Sequence, residues 1–460
     1  MSPIPTIVRW ISRRALRWCY REVRYVGRER VPADGPTLLF GNHQNDLPDV
    51  LAGFFTTDRP LRYIATSSAV TRPLANATYR GMGVIPVTRV RDARIMRSRG
   101  VDPAAVNRSA FASVQEAFRA GDIVGVFPEG GVHDSSSIGK PRAGVAKMAL
   151  ESIDNGATID LKLIAFGVQY DAQQTARSDL TVVLGESFSL RSWVEHQTDP
   201  SPSALSARLH KELLSVARSI SSWPNAEARD RLVAAVSACS ATSAEPLLET
   251  SANVQRRCGF LVEGCDPSQT EQEVPIVHWR TISDELAELV HRAGGLATSA
   301  RDTARVLDAA GSPNPQACWP TRTWMLATVV PATIGLILNG PMQWSVWQLA
   351  GRTATARTDR VARAILPGLH LIFLGYVVLG GLFALGFRAS SLSAWWALPV
   401  VMLLPRLGDL GLAWRDAVCA WRLRARVQRL SVGERAAIRA AAERVWSAWM
   451  TLSTPSSSSS

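Results

Sequence analysis

His43 closes a short apolar run, Leu38-Leu39-Phe40-Gly41-Asn42, bounded upstream by Gly35-Pro36. Such a run reads as a buried strand that stops at a polar cluster, which puts the histidine at a strand end. Two carboxylates follow, Asp46 and Asp49. Pro48 is tolerated in the first turn of a helix, so 46–55 reads as a helix that starts straight after the turn. A strand tip facing a helix start is where open α/β folds place their chemistry. Asp46 precedes Leu47-Pro48 as an N-cap would, its side chain occupied by backbone N–H groups. Asp49 lies one turn on, near enough to fold back to the imidazole. A carboxylate on one ring nitrogen fixes the tautomer and stabilises the cation formed when the other nitrogen takes a proton. His43 and Asp49 are therefore the candidate general-base pair.

Three further blocks stand downstream. They are Gly83-Val84-Ile85-Pro86-Val87-Thr88-Arg89, Val126-Phe127-Pro128-Glu129-Gly130-Gly131-Val132-His133 and Ile164-Ala165-Phe166-Gly167-Val168-Gln169-Tyr170. With the Asn42-His43…Asp49 block, and in this order, they resemble the motifs of the PlsC-like glycerolipid acyltransferase superfamily over roughly residues 20–220. Five residues separate His43 from Asp49 where the commonest form has four, a variant that resembles the glycerol-3-phosphate or dihydroxyacetone-phosphate branch. Gly131 stands where Thr or Ser is usual, and Ala165 where Pro is usual.

The resemblance implies a mixed α/β sheet flanked by helices. It also implies acyl transfer from acyl-coenzyme A or acyl carrier protein to a hydroxyl of a phosphorylated glycerol-type acceptor, with no metal or other cofactor. Arg89 would contact the acceptor phosphate, a planar guanidinium suiting two phosphate oxygens. Glu129 would orient the acceptor or support the site. Gly130 would lend backbone donors, and Gly130 and Gly131 would let a ligand approach the backbone closely. Asn42 and His133 are accessory candidates. Lys140 and Arg142, on a basic turn into a helix, could meet a phosphate of the acceptor or of the thioester carrier.

The elements that must position these residues follow from pattern. Val23–Val31 with Gly27 reads as strand and turn, and Leu61–Ala65, Val84–Val87, Ile123–Phe127, Leu161–Tyr170 and Leu180–Leu184 as strands. Ala69–Met82, Ala104–Arg119 and Ser203–Ser219 read as helices, and the α/β domain is expected to span 27–220. Residues 221–318 form a helix-rich region without a chemical motif. His210, His278 and His291 each sit alone there or nearby.

The chain carries 51 Lys and Arg against 39 Asp and Glu, a net +12, and 15 Trp. No nucleic-acid motif accompanies that charge, and Arg interleaved with Trp and Leu fits lipid headgroups. Residues 1–26 read as an amphipathic membrane-surface helix, with packing on its own domain as the alternative. Residues 324–347 and 364–387 are charge-free and long enough to span a bilayer, and the stretch around Trp395–Leu404 is marginal before Pro405 and Arg406. A membrane-embedded helical hairpin is thus expected within 319–412, either as two spans or entering and leaving the same leaflet, with basic amphipathic helices over 413–452, a disordered tail at 453–460 and the catalytic domain on the cytoplasmic side. The six cysteines lack metal or disulfide spacing and read as free thiols in a reducing compartment, and no cleavable signal peptide is visible.

Three competing readings remain. One is the same chemistry on a lysophosphatidate. The second is a metal-dependent hydrolase using His43, Asp46, Asp49 and His133. The last is a non-catalytic membrane scaffold. The absence of a Gly-x-Ser-x-Gly elbow argues against a serine hydrolase.

Overall fold

A computed structural model describes residues 4–66, 83–89, 92–98, 100–154, 160–173, 175–242, 276–311, 319–354 and 359–453, together with 254, 258 and 261. The helix expected over 69–82 and the tail 454–460 lie outside the described residues. By contacts the chain divides into two compact units, Met1–Tyr170 with Leu180–Ser219, and Asp171–Asp179 with Ile220–Ser460.

The first unit opens with α1 (Ile4–Cys19), β1 (Glu22–Val26) and β2 (Thr37–Gly41), followed by α2 (Leu47–Gly53), β3 (Leu61–Thr66) and β4 (Ile85–Val87). Next come α3 (Ala93–Ser98), α4 (Pro103–Arg119), β5 (Ile123–Val126), α5 (Ala143–Asp154), β6 (Lys162–Tyr170) and β7 (Asp179–Leu184). Then β8 (Phe188–Ser189), α6 (Leu190–Glu195) and α7 (Pro202–Val216) complete it. The strands form one mixed sheet in the order β1-β7-β6-β2-β5-β3-β4, with β8 pairing β6. Strands β6, β2, β5, β3 and β4 run parallel, while β7 and β8 are antiparallel to β6. Every residue of β2 and β5 is buried, as strands covered on both faces must be.

Parallel alignment brings the carboxyl ends of β2, β5, β3 and β4 to one edge. Phe40 is level with Val126, Tyr63 with Gly125, and Thr66 with Val87. Helix α4 crosses back from that edge. It starts where Asp102 accepts from the N–H groups of Ala104 and Ala105, and it buries Ala110, Val114, Ala117 and Phe118. Helix α1 gives one face to its own unit: Ala15, Leu16 and Cys19 are buried, Arg9 donates to Thr57 O at 2.9 Å, and Arg9 and Arg13 lie over the Phe55 ring. Trp10 stays 55% exposed, and residues 22–26 of the segment expected to be helical at the surface are strand β1.

The second unit contains α8 (Trp223–Thr242), α9 (Ile276–Arg292), α10 (Ala300–Gly311), α11 (Trp319–Thr353), α12 (Asp359–Ala389), α13 (Ala397–Arg429) and α14 (Val432–Ser453). Helices α8, α9, α10 and α14 share one apolar core with Leu423 and Val427 of α13, and Trp279 meets Trp449 edge to face there. Three helices are long and apolar enough to cross a membrane, Thr323–Thr353, Arg363–Ala389 and Ala394–Arg429. The third of these includes the stretch around Trp395–Leu404 that is marginal by sequence. The third helix runs on through Pro405 and Arg406, because packing against α11 supports it where hydropathy falls. Trp414 Nε1 donates to Met325 O at 3.1 Å, and a Cβ on Gly411 would meet Leu336 at 3.0 Å.

The same contacts set direction. Residue 414 lies beside 325, and Asn339 Nδ2 is 3.4 Å from Leu404 O, so α13 is antiparallel to α11. Asn339 also accepts from the Tyr376 hydroxyl of α12 at 2.7 Å, which ties the three helices together. Their outward side chains are apolar, among them Leu326, Phe373, Leu385 and Met402.

Candidate active site

The site begins with the way β2 ends. Asn42 leaves the strand, but its side-chain amide carries the ladder one step further. Nδ2 donates to Val168 O at 3.2 Å, and Oδ1 accepts from the Val168 N–H at 2.7 Å. Asn42 is fully buried, so its role is to anchor the strand exit. His43 follows with its ring stacked on Phe127, centroids 4.1 Å apart. Its Nδ1 is 3.1 Å from Asp49 Oδ2, and the side chains are 12% and 0% exposed. With Nδ1–H donating to the carboxylate, Nε2 faces away from Asp49 as the proton acceptor.

Asp49 sits in the first turn of α2 and takes two further donors besides His43. Oδ2 also takes the Asn45 N–H at 2.7 Å, and Oδ1 takes the Tyr170 hydroxyl in a short hydrogen bond. The turn that permits this passes through Asp46 at φ 45, ψ −117, a strained conformation of the kind found at functional sites. No N-cap bond is made by the Asp46 side chain, which corrects the capping expectation: the turn serves Asp49 instead. Tyr170 and Tyr20 are buried rings 5.7 Å apart, and Tyr20 Oη is 3.3 Å from Asn45 Nδ2. Burial and the neighbouring Asp49 charge push the Tyr170 hydroxyl well above its usual pKa, so it remains a donor.

The loop after β5 supplies the other side. Glu129 does not reach outward as a substrate-orienting group would. Its side chain is 1% exposed, and Oε1 takes the His43 backbone N–H at 2.9 Å. Oε2 takes the Gly139 N–H at 2.7 Å and a short bond from His133 Nε2. That bond to Glu129 raises the pKa of His133 above its ordinary value against the opposing effect of burial. Gly130 takes φ +77, and its N–H closes a turn onto Phe127 O at 3.1 Å. The expected role of Gly130 as a donor to substrate is thereby corrected, since the N–H is spent on the turn. Its missing side chain is what matters, because a Cβ there would stand 2.2 Å from Arg142 Nε. Gly131 follows, half-buried. Arg142 Nε donates to Glu129 O at 3.1 Å, and Lys140 is exposed.

Arg89 follows the end of β4 on the same sheet edge. Its Nε is bound to Asp92 Oδ2 at 2.7 Å, an (i, i+3) pair, and Thr66 Oγ1 holds the same oxygen at 3.1 Å. Tyr170, Asn45, Tyr20 and Phe127 are the site residues that spacing alone does not single out. Among the described residues no group of three or more His, Cys, Asp and Glu side chains converges as metal ligands do.

Residues 22–166 match the family model described as Acyltransferase. An 80-residue stretch is 35% identical to "Glycerol-3-phosphate O-acyltransferase 2" of Saccharomyces cerevisiae, covering 17% of this chain and 11% of that protein. A 67-residue stretch is 34% identical to "Glycerol-3-phosphate O-acyltransferase 1" of the same organism, covering 15% and 9%. The matches thus span about a tenth of the length of these curated relatives. Among solved structures, the 1-acyl-sn-glycerophosphate (LPA) acyltransferase PlsC from Thermotoga maritima aligns at TM-score 0.33 and 15% identity, over 45% of this chain and 76% of that one.

Proposed function

We propose that this chain, whose residues 22–166 match the Acyltransferase family model, is a glycerolipid acyltransferase that moves a fatty acyl group from a thioester to a hydroxyl of glycerol-3-phosphate or a related phosphorylated glycerol. The observation that carries this reading is the His43–Asp49 pair at 3.1 Å, set at the carboxyl ends of parallel strands with Nε2 turned away from Asp49. Nε2 takes the acceptor's hydroxyl proton as that oxygen attacks the thioester carbonyl. Asp49 stabilises the imidazolium, the C–S bond breaks, and the proton passes to the leaving thiolate. No acyl-enzyme is needed, because the acceptor is itself the nucleophile. Acyl-coenzyme A and acyl carrier protein both present such a thioester. The names of the two yeast relatives support the glycerol-3-phosphate acceptor.

Membrane residence suits a reaction whose product is amphiphilic. Helices α11 and α13 have the length to span and are antiparallel, which makes them an even pair of crossings. The segment before α11 and the arginine-rich α14 therefore share one end, which the positive-inside tendency makes cytoplasmic.

The test is thiol release from acyl-coenzyme A by membranes containing the full chain, with glycerol-3-phosphate, dihydroxyacetone phosphate and lysophosphatidate offered in turn. His43→Ala is expected to cost on the order of 10²- to 10⁴-fold in kcat. A His43→Ala variant with wild-type turnover would overturn the mechanism, and preference for lysophosphatidate would move the reading to second-chain addition.

A further inference from the structure

Chain direction and the length of one connection together constrain α12, the most apolar of the three long helices. Met325 meets Trp414, Leu336 meets Gly411 and Asn339 meets Leu404, so α13 retraces α11 and begins toward the end where α11 finishes. Helix α12 leaves from that same end, where the Arg360 guanidinium lies 4.5 Å from the centre of the Trp347 ring. It then travels back along α11 as far as Asn339, which accepts from the Tyr376 hydroxyl at 2.7 Å. Asn339 is near the middle of the apolar span Thr323–Thr353. There the advance stops. Four residues on, Gly380 lies against Val401, where a Cβ would stand 3.0 Å from Cγ2, and Val401 is three residues closer than Leu404 to the end from which α12 set out.

The link to α13 cannot supply the missing half. Residues 390–396 join Ala389 to Ala397. Seven residues reach about 25 Å at full extension, short of the roughly 30 Å of a hydrocarbon core, and these seven are folded. Ser390, Ser391 and Leu392 donate their N–H groups back to the carbonyls of Gly386, Arg388 and Phe387, and 394–396 wind into a 3-10 turn. Were α12 to cross, α13 would begin at the opposite end and run parallel to α11, which the Met325–Trp414 and Asn339–Leu404 contacts exclude.

The surface of α12 nevertheless requires hydrocarbon. Residues 364–387 carry no Asp, Glu, Lys or Arg, and Arg363 and Arg388 flank them. Phe373, Leu374, Val377, Leu382 and Leu385 are each more than half exposed. In the link that follows, Trp395 and Trp396 are 82% and 60% exposed, and tryptophan near arginine suits a headgroup boundary. A contiguous apolar face of this kind marks a membrane contact. The helix satisfies its own backbone, so it can lie in lipid without spanning.

We infer that α11 and α13 are the two crossings and that α12 re-enters. Both ends of α12 lie on the side opposite the amino end of α11, and the acyl chains of that one leaflet cover its outward apolar face. The inference is independent of the acyl-transfer reading.

The experiment is thiol labelling of the full chain in sealed vesicles, with a membrane-impermeant maleimide outside. Labelled positions are read by peptide mass, so the native cysteines stay in place. Ala354→Cys reports the link between α11 and α12, Ser390→Cys the link between α12 and α13, and Ser447→Cys, exposed on α14, the side that α13 reaches. Positions 354 and 390 are expected to label from one face and position 447 from the other, and the pattern inverts as a whole in inside-out vesicles. Position 390 labelling together with 447 would show that α12 crosses, and position 354 labelling together with 447 would show that α11 does not. Either result overturns the inference. Phe373→Cys is expected to resist the reagent from both faces and to react once the membrane is dissolved in denaturant, with Leu385→Cys standing in should the first variant fail to insert. Reaction in intact vesicles would put that face in water, and oxidative cross-linking of position 373 between copies would make a second chain, in place of lipid, its cover. Both results overturn the assignment of the leaflet.

Discussion

The backbone N–H of His43 donates to Glu129 Oε1 at 2.9 Å, so the loop after β2 is fastened to the loop after β5 at the base itself. The other oxygen of Glu129 faces two more donors, the Gly139 N–H and His133 Nε2. Glu129→Gln can serve one side only, because its NH₂ must confront a donor on the other. The expected outcome is a loss of about 1–3 kcal/mol in stability and a fall in kcat with little change in either KM. Thermal unfolding in detergent and steady-state thiol release measure the two.

Tyr170→Phe removes the hydroxyl donor from Asp49 Oδ1 and leaves a fully buried carboxylate under-satisfied. A charged acceptor robbed of one partner costs about 1.5–3 kcal/mol. Turnover is expected to drop by roughly tenfold, less than on removing His43, because Asn45 still holds Oδ2. Wild-type kcat in this variant would show that the hydroxyl does nothing for the base pair.

Asn42→Leu strands the N–H and C=O of Val168, both of which the amide now satisfies. With each unpaired buried group costing about 1–3 kcal/mol, the expected effect is a lowered unfolding temperature and, through a loosened His43, reduced turnover. Asn42→Asp keeps the acceptor but loses the donor to Val168 O, and is expected to fall between Leu and wild type.

The pH dependence follows from His133. Its pKa is raised in the folded chain by the hydrogen bond to Glu129, so the folded form holds the proton more tightly than the unfolded form does. The resulting stabilisation is complete below the unfolded value, about 6.5, and is lost as pH climbs through the raised folded value. Protonation forfeits only a long contact, 3.3 Å from the Ser135 N–H to Nδ1. The unfolding temperature of the wild type is therefore expected to decline with rising pH in that window, and His133→Gln to flatten the decline.

Much of the frame is legible in the chain. The runs Leu38–Phe40, Ile123–Phe127 and Leu161–Tyr170 form strands because they are apolar on both faces, and His43 and Asp49 meet because one turn of helix returns the carboxylate to the strand tip. Tyr170 lies 121 residues from Asp49, and such partners have no local signature. Asp46 looks like a cap by type and position, but backbone geometry decides capping, and its φ of 45 belongs to a turn built for Asp49. The Arg89–Asp92 pair is an (i, i+3) charge spacing that a reading centred on phosphate passes over. Helix α13 defeats hydropathy because Pro405 and Arg406 interrupt the apolar count while tertiary contacts keep the helix whole.

The amide of Asn42 has one more implication. By standing in for a peptide unit, it lets the main chain turn aside while β6 still finds a neighbour. The imidazole is therefore carried on a segment that borrows its stiffness from the sheet without being woven into it. Rigidity and reach, which normally compete along a polypeptide, are assigned here to consecutive residues.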